Sequence, residues 1–233
     1  MADIPSIELI GVSCRYKRSA HNALDTFSFL ARRGEFVVVT GTSGSGKSTF
    51  LRLCSMEVRS RTGRVNLLGQ DVTRIPRRNV HRVRRHVATV FQDHKLLVEQ
   101  TLAENVAFPL EMAGHRPSLI RERTRHALEA VGLGDMGDRL VKETSGGEQQ
   151  RTAIARALAL EPQILLADEP TGNLDPSSSR GVVDLLHDLS KQGTCIVLVT
   201  HDHESVAHTA TRNVRIEAGA VLDSGSVETG IVP

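Results

Sequence analysis

Residues Gly41-Thr42-Ser43-Gly44-Ser45-Gly46-Lys47-Ser48-Thr49 have the form G-x-x-x-x-G-K-S, which is typical of a phosphate-binding loop. A β-branched run at 35–40 precedes the loop, and residues 48–54, which lack Gly and Pro, follow it as a predicted helix start. A Gly/Ser-rich surface turn before a helix is the alternative interpretation. Because nine residues stand in this order between a strand and a helix, the sequence predicts a nucleoside triphosphate site.

The residue types of this loop suit the chemistry of phosphate binding. Gly41, Gly44 and Gly46 allow the backbone to turn tightly and to approach a ligand without side-chain clashes. The N–H groups then point into one concavity at a helix N-terminus, where the helix dipole favours an anion. Lys47 adds a positive charge for the outer phosphates, and the Ser48 hydroxyl is a ligand for Mg²⁺.

The composition limits the class of protein. The 233 residues suffice for one sizeable domain, with or without an inserted lobe. The net charge of +2 provides no overall attraction to nucleic acids or membranes. Aromatic residues make up 3% of the chain and Trp is absent, which argues against a surface that stacks on single-stranded bases.

Three further features predict a cytoplasmic protein. Cys14, Cys54 and Cys195 have no metal-type spacing, and we expect them to be buried free thiols in a reducing compartment. The first residues lack the basic and apolar regions of a signal peptide. No run of about 18 apolar residues occurs, so no membrane-spanning helix is predicted.

Apolar patterns divide the chain into a strand-rich part, a helical part and a second strand-rich part. Strands are predicted at 7–12, 23–30, 36–39, 87–91, 163–169 and 195–202, with a strand–turn pattern at 63–71 and a polar hairpin at 214–221. Residues 96–160 have helical spacing punctuated by Pro109 and Gly114, and residues 182–189 form an amphipathic stripe. Continuous apolar strands with a helix between them indicate a parallel sheet covered on both faces, interrupted by an all-helical insert.

Polar residues follow three of the predicted strands. Asp168 and Glu169 end one strand, and Gln92 and His201 each end another. Ligands of open parallel sheets lie off the carboxyl ends of the strands, so we expect these side chains beside the phosphate-binding loop. Asp168 is then predicted to hold Mg²⁺, and Glu169 to polarise the attacking water. His201 is predicted to bridge to the γ-phosphate and Gln92 to sense metal and water. Each residue alone is equally compatible with a polar strand end, but their joint occurrence with the loop favours a catalytic role.

A second Gly-rich element lies in the helical insert. Ser145-Gly146-Gly147-Glu148-Gln149-Gln150-Arg151 opens a long helical pattern, which predicts another anion site at a helix N-terminus. Two chains that meet head to tail with two-fold symmetry would each offer the first loop to the partner's second loop. We therefore expect a homodimer with two composite nucleotide sites.

These motifs resemble, in order and spacing, those of ABC-type ATPase domains. The matching elements, which extend from Tyr16 to about Gly225, are Gly41–Thr49, Gln92, Ser145–Gln149, Ile164–Glu169, Asn173-Leu174-Asp175 and His201. The Ser-Gly-Gly element is diagnostic of this family. Thr144 departs from the pattern, since the family usually has Leu there, and we expect looser packing at that helix start.

The resemblance implies a P-loop NTPase (RecA-like) α/β core with an antiparallel β subdomain and an inserted α-helical subdomain. The chain, 1–233, is then a single nucleotide-binding domain, with the core at about 1–92 and 158–233 and the helical subdomain at about 93–157. The implied cofactors are ATP and Mg²⁺. The implied catalytic residues are Glu169, His201 and Gln92, and the implied metal ligands are Ser48, Gln92 and Asp168. The implied nucleotide contacts are Tyr16, Gly41, Thr42, Ser43, Gly44, Ser45, Gly46, Lys47, Ser48, Thr49, Ser145, Gly146, Gly147, Glu148 and Asp175.

Finer features indicate a branch of the family. Residues 166–175 resemble the branch that contains lipoprotein-release, macrolide-export and cell-division ATPases. The stretches 91–97 and 145–151 resemble the cell-division members, with Asp93, His94 and Glu148 as the discriminating residues. An exposed loop residue is the alternative interpretation of His94.

The cell-division branch implies a peripheral ATPase on the cytoplasmic face of the cell membrane that moves an integral membrane partner and so regulates cell-wall hydrolysis. The partner's coupling helix would enter a groove around residues 93–97 and the helical insert. One alternative is the ATPase of a lipoprotein-release or macrolide-export transporter, and another is an ATP-dependent scaffold with little turnover. A soluble ABC protein that acts on DNA or ribosomes is disfavoured by the absence of coiled-coil heptads and by the modest net charge.

Two features of the sequence are each compatible with two interpretations. Tyr16, the only Tyr of the chain, either fills a sheet surface or stacks on an adenine ring. A basic stretch is either a solvated face or a contact for anionic lipid headgroups or an acidic partner. This stretch contains Arg74, Arg77, Arg78, Arg82, Arg84 and Arg85.

Overall fold

The computed structural model describes residues 4–16, 21–172, 174–201, 206 and 209–226. Two residues of the sequence prediction, Asn173 in a family motif and Asp202 at the end of a predicted strand, lie outside the described residues. The strands are β1 (Ile7–Cys14), β2 (Leu24–Ala31), β3 (Phe36–Thr40), β4 (Thr62–Leu67), β5 (Gln70–Asp71), β6 (Val87–Val90), β7 (Ile164–Asp168), β8 (Cys195–Val199), β9 (Arg212–Glu217) and β10 (Ala220–Ser226).

The α-helices of the described residues lie between these strands, and three of the six lie in the predicted insert. They are α1 (Lys47–Cys54), α2 (Val80–Arg84), α3 (Leu102–Met112), α4 (Pro117–Ala130), α5 (Gly146–Leu158) and α6 (Pro176–Lys191). Short 3-10 helical turns occur at Arg77–Asn79, Gly134–Met136 and Val141–Glu143. None of the helices in the described ranges is long and apolar enough to cross a membrane.

The strands form two sheets that match the prediction of a parallel core and a separate β-rich part. The larger sheet has the order β10-β9-β3-β8-β7-β6, in which the strands from β9 to β6 are parallel and β10 pairs antiparallel with β9. The smaller sheet is antiparallel, with the order β2-β1-β4-β5. The predicted polar hairpin at 214–221 is more than a surface feature, because Val214 and Ile216 are buried where β9 pairs with β3.

The central strands are buried on both faces, which explains their continuous apolar sequences. In β3, Val37 and Val39 face a core shared with the antiparallel sheet and α1, whereas Phe36 and Val38 face a second core formed with the helical insert and α6. Phe50 of α1 packs against the antiparallel sheet, since its ring centroid lies 5.4 Å from that of Phe27 and 4.8 Å from that of Phe29, both in β2.

The first helix of the insert begins at Leu102, later than the predicted helical spacing from residue 96, and it passes through Pro109. Helix α3 starts at a capping box between Thr101 and Glu104 and continues to Met112, so the prediction that Pro109 interrupts it was wrong. The proline costs a backbone hydrogen bond, but Leu102, Val106 and Leu110 on one face of α3 are fully buried. Their packing outweighs the local helix-breaking tendency.

The three cysteines are free and buried, as predicted. Burial raises the pKa of each of these thiols, to about 12 for Cys195. They therefore act as small apolar residues in the core.

Candidate active site

The loop Gly41–Thr49 connects the carboxyl end of β3 to α1. Gly46 precedes α1 with a φ of 113°, and no side chain caps the first N–H groups of this helix. A Cβ on Gly41 would lie 2.2 Å from the carbonyl oxygen of Ile216, and one on Gly46 would lie 2.5 Å from that of Ala23. Only glycine fits at both positions, and the uncapped helix N-terminus forms an anion site.

Lys47 lies inside this loop. It is 6% exposed, and its Nζ donates hydrogen bonds to the carbonyl oxygens of Gly41 (2.7 Å) and Thr42 (2.8 Å). Burial lowers the pKa of this ammonium group, whereas the carboxylates of Glu169 and Asp168 act in the opposite direction. The loop thus holds a buried cation that is coupled to two carboxylates at the end of β7.

The parallel register brings the predicted strand-end residues to one edge of the sheet. Asp168 of β7 is opposite Val199 of β8, which is opposite Val39 of β3. Burial raises the pKa of Asp168, and the positive charge of Lys47 is the largest opposing effect. Gln92 follows the neighbouring strand β6 by two residues, and His201 follows β8 by two residues.

Glu169 and His201 form a direct contact. The Nε2 atom of His201 lies 2.8 Å from Oε1 of Glu169, whose side chain is 18% exposed while that of His201 is 55% exposed. The backbone of Glu169 has a φ of 51°, and its N–H donates to the carbonyl oxygen of Val199 (2.9 Å). A left-handed non-glycine residue costs about 1–2 kcal/mol, and such strain is often retained at functional sites. The turn places the largely buried carboxylate of Glu169 directly after the carboxyl end of β7.

Three oxygen-bearing side chains suit a hard cation at this edge. Ser48 and Gln92 are exposed, and no hydrogen bond to either side chain occurs within the described part of the chain. Asp168 is partly buried beside Lys47. Hydroxyl, amide and carboxylate oxygens are the ligand types that Mg²⁺ accepts together with water and phosphate oxygens.

Tyr16 lies beside the first turn of α1. Its hydroxyl is 3.3 Å from Oγ1 of Thr49, and the residue is 39% exposed. The ring is therefore not a buried filler of the sheet, and it borders the loop at the position where the sequence predicts a nucleotide contact.

The second Gly-rich element begins α5 with a capping box. The carboxylate of Glu148 accepts hydrogen bonds from the N–H (2.7 Å) and the hydroxyl (2.9 Å) of Ser145, and the N–H of Glu148 donates to Ser145 Oγ (3.3 Å). These bonds lower the pKa of Glu148. Glu148 thus positions Ser145, while the N–H groups of Gly146 and Gly147 have no hydrogen-bond acceptor among the described residues. The sequence predicts a direct nucleotide contact for Glu148, whereas in the structure its carboxylate accepts the hydrogen bonds of Ser145 in the helix cap.

Two neighbours support this element. A Cβ on Gly147 would lie 3.4 Å from Oγ of Ser178 in α6, whose N-cap is Asp175. Asp175 accepts hydrogen bonds from the N–H groups of Ser177 (2.9 Å) and Ser178 (3.1 Å), and hydrogen bonds from these two serines hold its pKa well below the usual range. Thr144 is buried and its hydroxyl donates to the carbonyl oxygen of Val141 (2.6 Å), so a hydrogen bond replaces the apolar packing of the usual Leu.

The two Gly-rich elements do not meet within one chain. Among the residues that the structure describes, no hydrogen bond or ion pair joins Ser145, Gly146 or Gly147 to the loop at 41–49. The sequence-predicted residues therefore form two groups, one around Lys47 and one around Ser145.

Sequence reasoning missed Arg156, which ties α5 to the segment after Gln92. Its guanidinium donates two hydrogen bonds of 2.6 Å, from Nη1 to the carbonyl oxygen of Lys95 and from Nη2 to that of His94. His94 and Lys95 have φ values of 54° and 48°, and Nζ of Lys95 lies 3.5 Å from the ring centroid of Phe91. The signal in the sequence is one arginine within the apolar pattern Ile154-Ala155-Arg156-Ala157-Leu158, where a long polar side chain needs buried partners.

The chain is similar in sequence and in fold to known ATP-binding proteins. The profile of the family described as "ABC transporter" matches residues 24–172. The chain is 44% identical to the cell division ATP-binding protein FtsE of Mycobacterium tuberculosis, over 93% of this chain and 94% of that protein. It is 40% identical to FtsE of Bacillus subtilis, over 86% and 88% of the two chains. The dimeric ATP-binding cassette MJ0796, solved with ADP and Pi, superposes with a TM-score of 0.87 at 31% identity over 96% of this chain and all of that chain (100%).

Proposed function

The chain belongs to the ABC transporter family of ATP-binding domains, and from this premise we propose that it is the ATPase subunit of a cell-division complex of the FtsE–FtsX type. The family and the cassette fold are those that the sequence motifs predict. Identity of 44% over nearly the full length of a cell-division relative supports the finer assignment. The observation that carries the ATPase activity is geometric: Nζ of Lys47 is held in its loop by the carbonyl oxygens of Gly41 (2.7 Å) and Thr42 (2.8 Å), and Oε1 of Glu169 lies 2.8 Å from Nε2 of His201.

One copy of the chain supplies the phosphate-binding and catalytic groups of each ATP site. Lys47 exchanges its two loop carbonyls for phosphate oxygens, and the N–H groups at the start of α1 bind the same anion. Ser48, Asp168 and Gln92 would hold Mg²⁺, which would neutralise phosphate charge when bound. Glu169 accepts the proton of the attacking water, and the 2.8 Å contact with His201 orients its carboxylate. Tyr16 stacks on the adenine ring.

A second copy of the chain completes each nucleotide site. Ser145, Gly146 and Gly147 of one copy face the γ-phosphate that is bound to the loop of the other copy, and a two-fold axis produces two such sites. Glu148 holds Ser145 in place, and Asp175 fixes the adjacent start of α6. The dimeric state of the similar cassette MJ0796 supports this arrangement.

The membrane partner docks beside the segment that follows Gln92. Apolar side chains are exposed there and on α3: Leu97 is 41%, Val98 54%, Phe108 44% and Met112 74% exposed. A coupling helix from a partner of the FtsX type would cover this apolar surface. The chain is then peripheral on the cytoplasmic face of the cell membrane and is held there through its partner.

Affinity purification from detergent-solubilised membranes tests this assignment. The chain carrying Glu169→Gln, with ATP present, should retain an integral membrane protein of the FtsX type in amounts close to equimolar. Replacing Leu97 and Met112 by Ser should abolish this recovery without changing ATP binding. Recovery of a lipoprotein-release or macrolide-export permease instead would contradict the cell-division role and support the transporter alternative.

Arg156 is expected to transmit partner binding to the catalytic edge. The variant Arg156→Lys keeps the charge but loses the planar fork that binds two adjacent carbonyls, so the turn at His94 and Lys95 shifts together with Gln92. We expect kcat for ATP to fall about tenfold with an unchanged KM, because misplacement of a reacting group affects the transition state more than binding. Steady-state kinetics of Arg156→Lys and of the control Arg121→Lys, at an exposed arginine of α4, provide the measurement. A rise in KM with unchanged kcat would exclude this role.

A further inference from the structure

The positive charge of the chain is concentrated in one segment outside the nucleotide site. Residues 59–85 contain nine arginines and a single carboxylate, that of Asp71, whereas acidic residues outnumber basic ones in the rest of the chain. The segment includes β4, β5, the 3-10 turn at Arg77–Asn79 and α2, and it leads into the edge strand β6. A net charge of +2 for the whole chain therefore conceals a strong local asymmetry.

Two of these arginines have structural roles. Nη2 of Arg59 donates to the carbonyl oxygen of Ile75 (2.7 Å), and Arg84 donates to the carbonyl oxygens of Ser55 and Met56 (3.0 Å each). These bonds fasten the segment to the end of α1 and to its own loop. They hold in place the backbone that carries the remaining arginines.

Six further arginines are exposed between the start of β4 and the start of β6. We call them the arginine surface, and they are Arg64, Arg74, Arg77, Arg78, Arg82 and Arg85. Six guanidinium groups on one surface repel one another. Binding of an anionic partner relieves this repulsion and is therefore favourable.

The arginine surface contains a concave region of about 900 Å³ whose lining includes Arg64, Arg74 and Arg82. Asp71 also lines it, but its carboxylate accepts a hydrogen bond from the N–H of Thr73 (2.9 Å) and lies 3.9 Å from Nε of Arg64. Hydrogen bonds from Thr73, and the charges of Arg64 and Arg74, lower the pKa of Asp71. One carboxylate for three arginines leaves the concave region positive.

The residue types favour phospholipid headgroups over nucleic acids. Guanidinium groups bind phosphate oxygens with two parallel hydrogen bonds, and clusters of four to eight basic residues are typical of surfaces that bind anionic lipids. Residues 59–85 contain no Phe, Tyr or Trp, so the surface offers no platform for bases.

The position of the arginine surface is suited to a membrane. Arg85 precedes β6 by two residues and Gln92 follows it by two residues, so a four-residue edge strand of about 13 Å joins the arginine surface to the segment where the partner docks. The charge of the arginine surface follows from the sequence and the structure alone. The inference that this surface lies beside a membrane rests on the proposed function.

We propose that the arginine surface binds the anionic phospholipids of the membrane leaflet directly, as a second attachment besides the protein partner. This contact holds the ATPase at the bilayer and fixes its orientation. It does not take part in ATP hydrolysis.

Co-sedimentation with lipid vesicles tests the proposal with the full chain and no partner. The chain should bind vesicles of phosphatidylglycerol and phosphatidylcholine but not vesicles of phosphatidylcholine alone, and high salt should release it. The triple variant Arg74→Gln, Arg78→Gln, Arg82→Gln should bind on the order of 100-fold more weakly, since each basic residue near an anionic surface contributes about a fivefold factor. ATP binding should be unchanged, because none of the three contacts the loop at 41–49.

A matched control removes the same charge elsewhere. The variant Arg116→Gln, Arg121→Gln, Arg180→Gln changes three exposed arginines outside the arginine surface and should bind the vesicles like the unaltered chain. Equal weakening in both triple variants, or no vesicle binding by the unaltered chain, would overturn the proposal. Binding to polyglutamate without binding to vesicles would overturn it in favour of an acidic protein. Any of these results leaves the ATPase assignment intact, because that assignment is measured by hydrolysis.

Discussion

Replacing Glu169 by Gln is expected to slow ATP hydrolysis by a factor of about 10² to 10³ while ATP binding is retained. The amide has the shape of the carboxylate but cannot accept the proton of the attacking water. Glu169 is suited to this role because its side chain is only 18% exposed and lies 2.8 Å from Nε2 of His201. Phosphate release measures turnover, and size-exclusion chromatography with light scattering should show a dimer that persists with ATP.

The control for this variant is Glu161→Gln, which makes the same substitution at an ion pair with Arg123, before the amino end of β7 and so at the opposite end of this strand from Glu169. Its turnover should equal that of the unaltered chain. Normal turnover of the Glu169→Gln variant would show that another group activates the water.

Replacing Lys47 by Ala is expected to raise the Kd for ATP on the order of 100-fold, because about 3 kcal/mol of charge-assisted hydrogen bonding to the phosphates is lost. The unaltered Lys47 is already held at the centre of the loop by the carbonyl oxygens of Gly41 and Thr42. Little ordering is therefore needed when phosphate oxygens replace these carbonyls. Isothermal titration calorimetry with a non-hydrolysable ATP analogue measures the change.

Lys95→Ala is the matched control, since it removes one lysine that contacts the ring of Phe91 rather than the loop. Its Kd for the analogue should remain that of the unaltered chain. Thermal unfolding without nucleotide distinguishes loss of affinity from loss of fold in the Lys47→Ala variant. A well-folded Lys47→Ala variant with unchanged affinity would exclude the loop as the phosphate site.

The phosphate-binding loop and the strand ends were predictable because local chemistry determines them. The run Phe36–Thr40 is apolar on both faces, which requires a sheet covered on both sides, and such a sheet brings the residues after parallel strands to one edge. The location of Asp168, Glu169 and His201 at this edge was therefore predictable from the ends of the strands alone. Their mutual distances required the register and the left-handed turn at Glu169.

Other features depend on contacts between distant residues and were not predictable. The pairing of β9 with β3 buries Val214 and Ile216, and no local pattern distinguishes this from a surface hairpin. Pro109 stays inside α3 because tertiary packing outweighs helix propensity. The bonds from Arg156 to the turn after Gln92 join residues about 60 positions apart, so only the fold reveals them.

A mixing experiment tests most directly whether each nucleotide site is shared between two copies of the chain. One chain carries Lys47→Ala, the other carries Ser145→Tyr, and neither should hydrolyse ATP alone. If the loop of one copy works with Ser145 of the other, the mixture contains dimers with one intact site, and ATPase activity should reappear on mixing. A chain carrying both changes, mixed with the same total amount of the Ser145→Tyr chain, should remain inactive. Absence of recovered activity in the first mixture, with dimers present, would contradict the shared site.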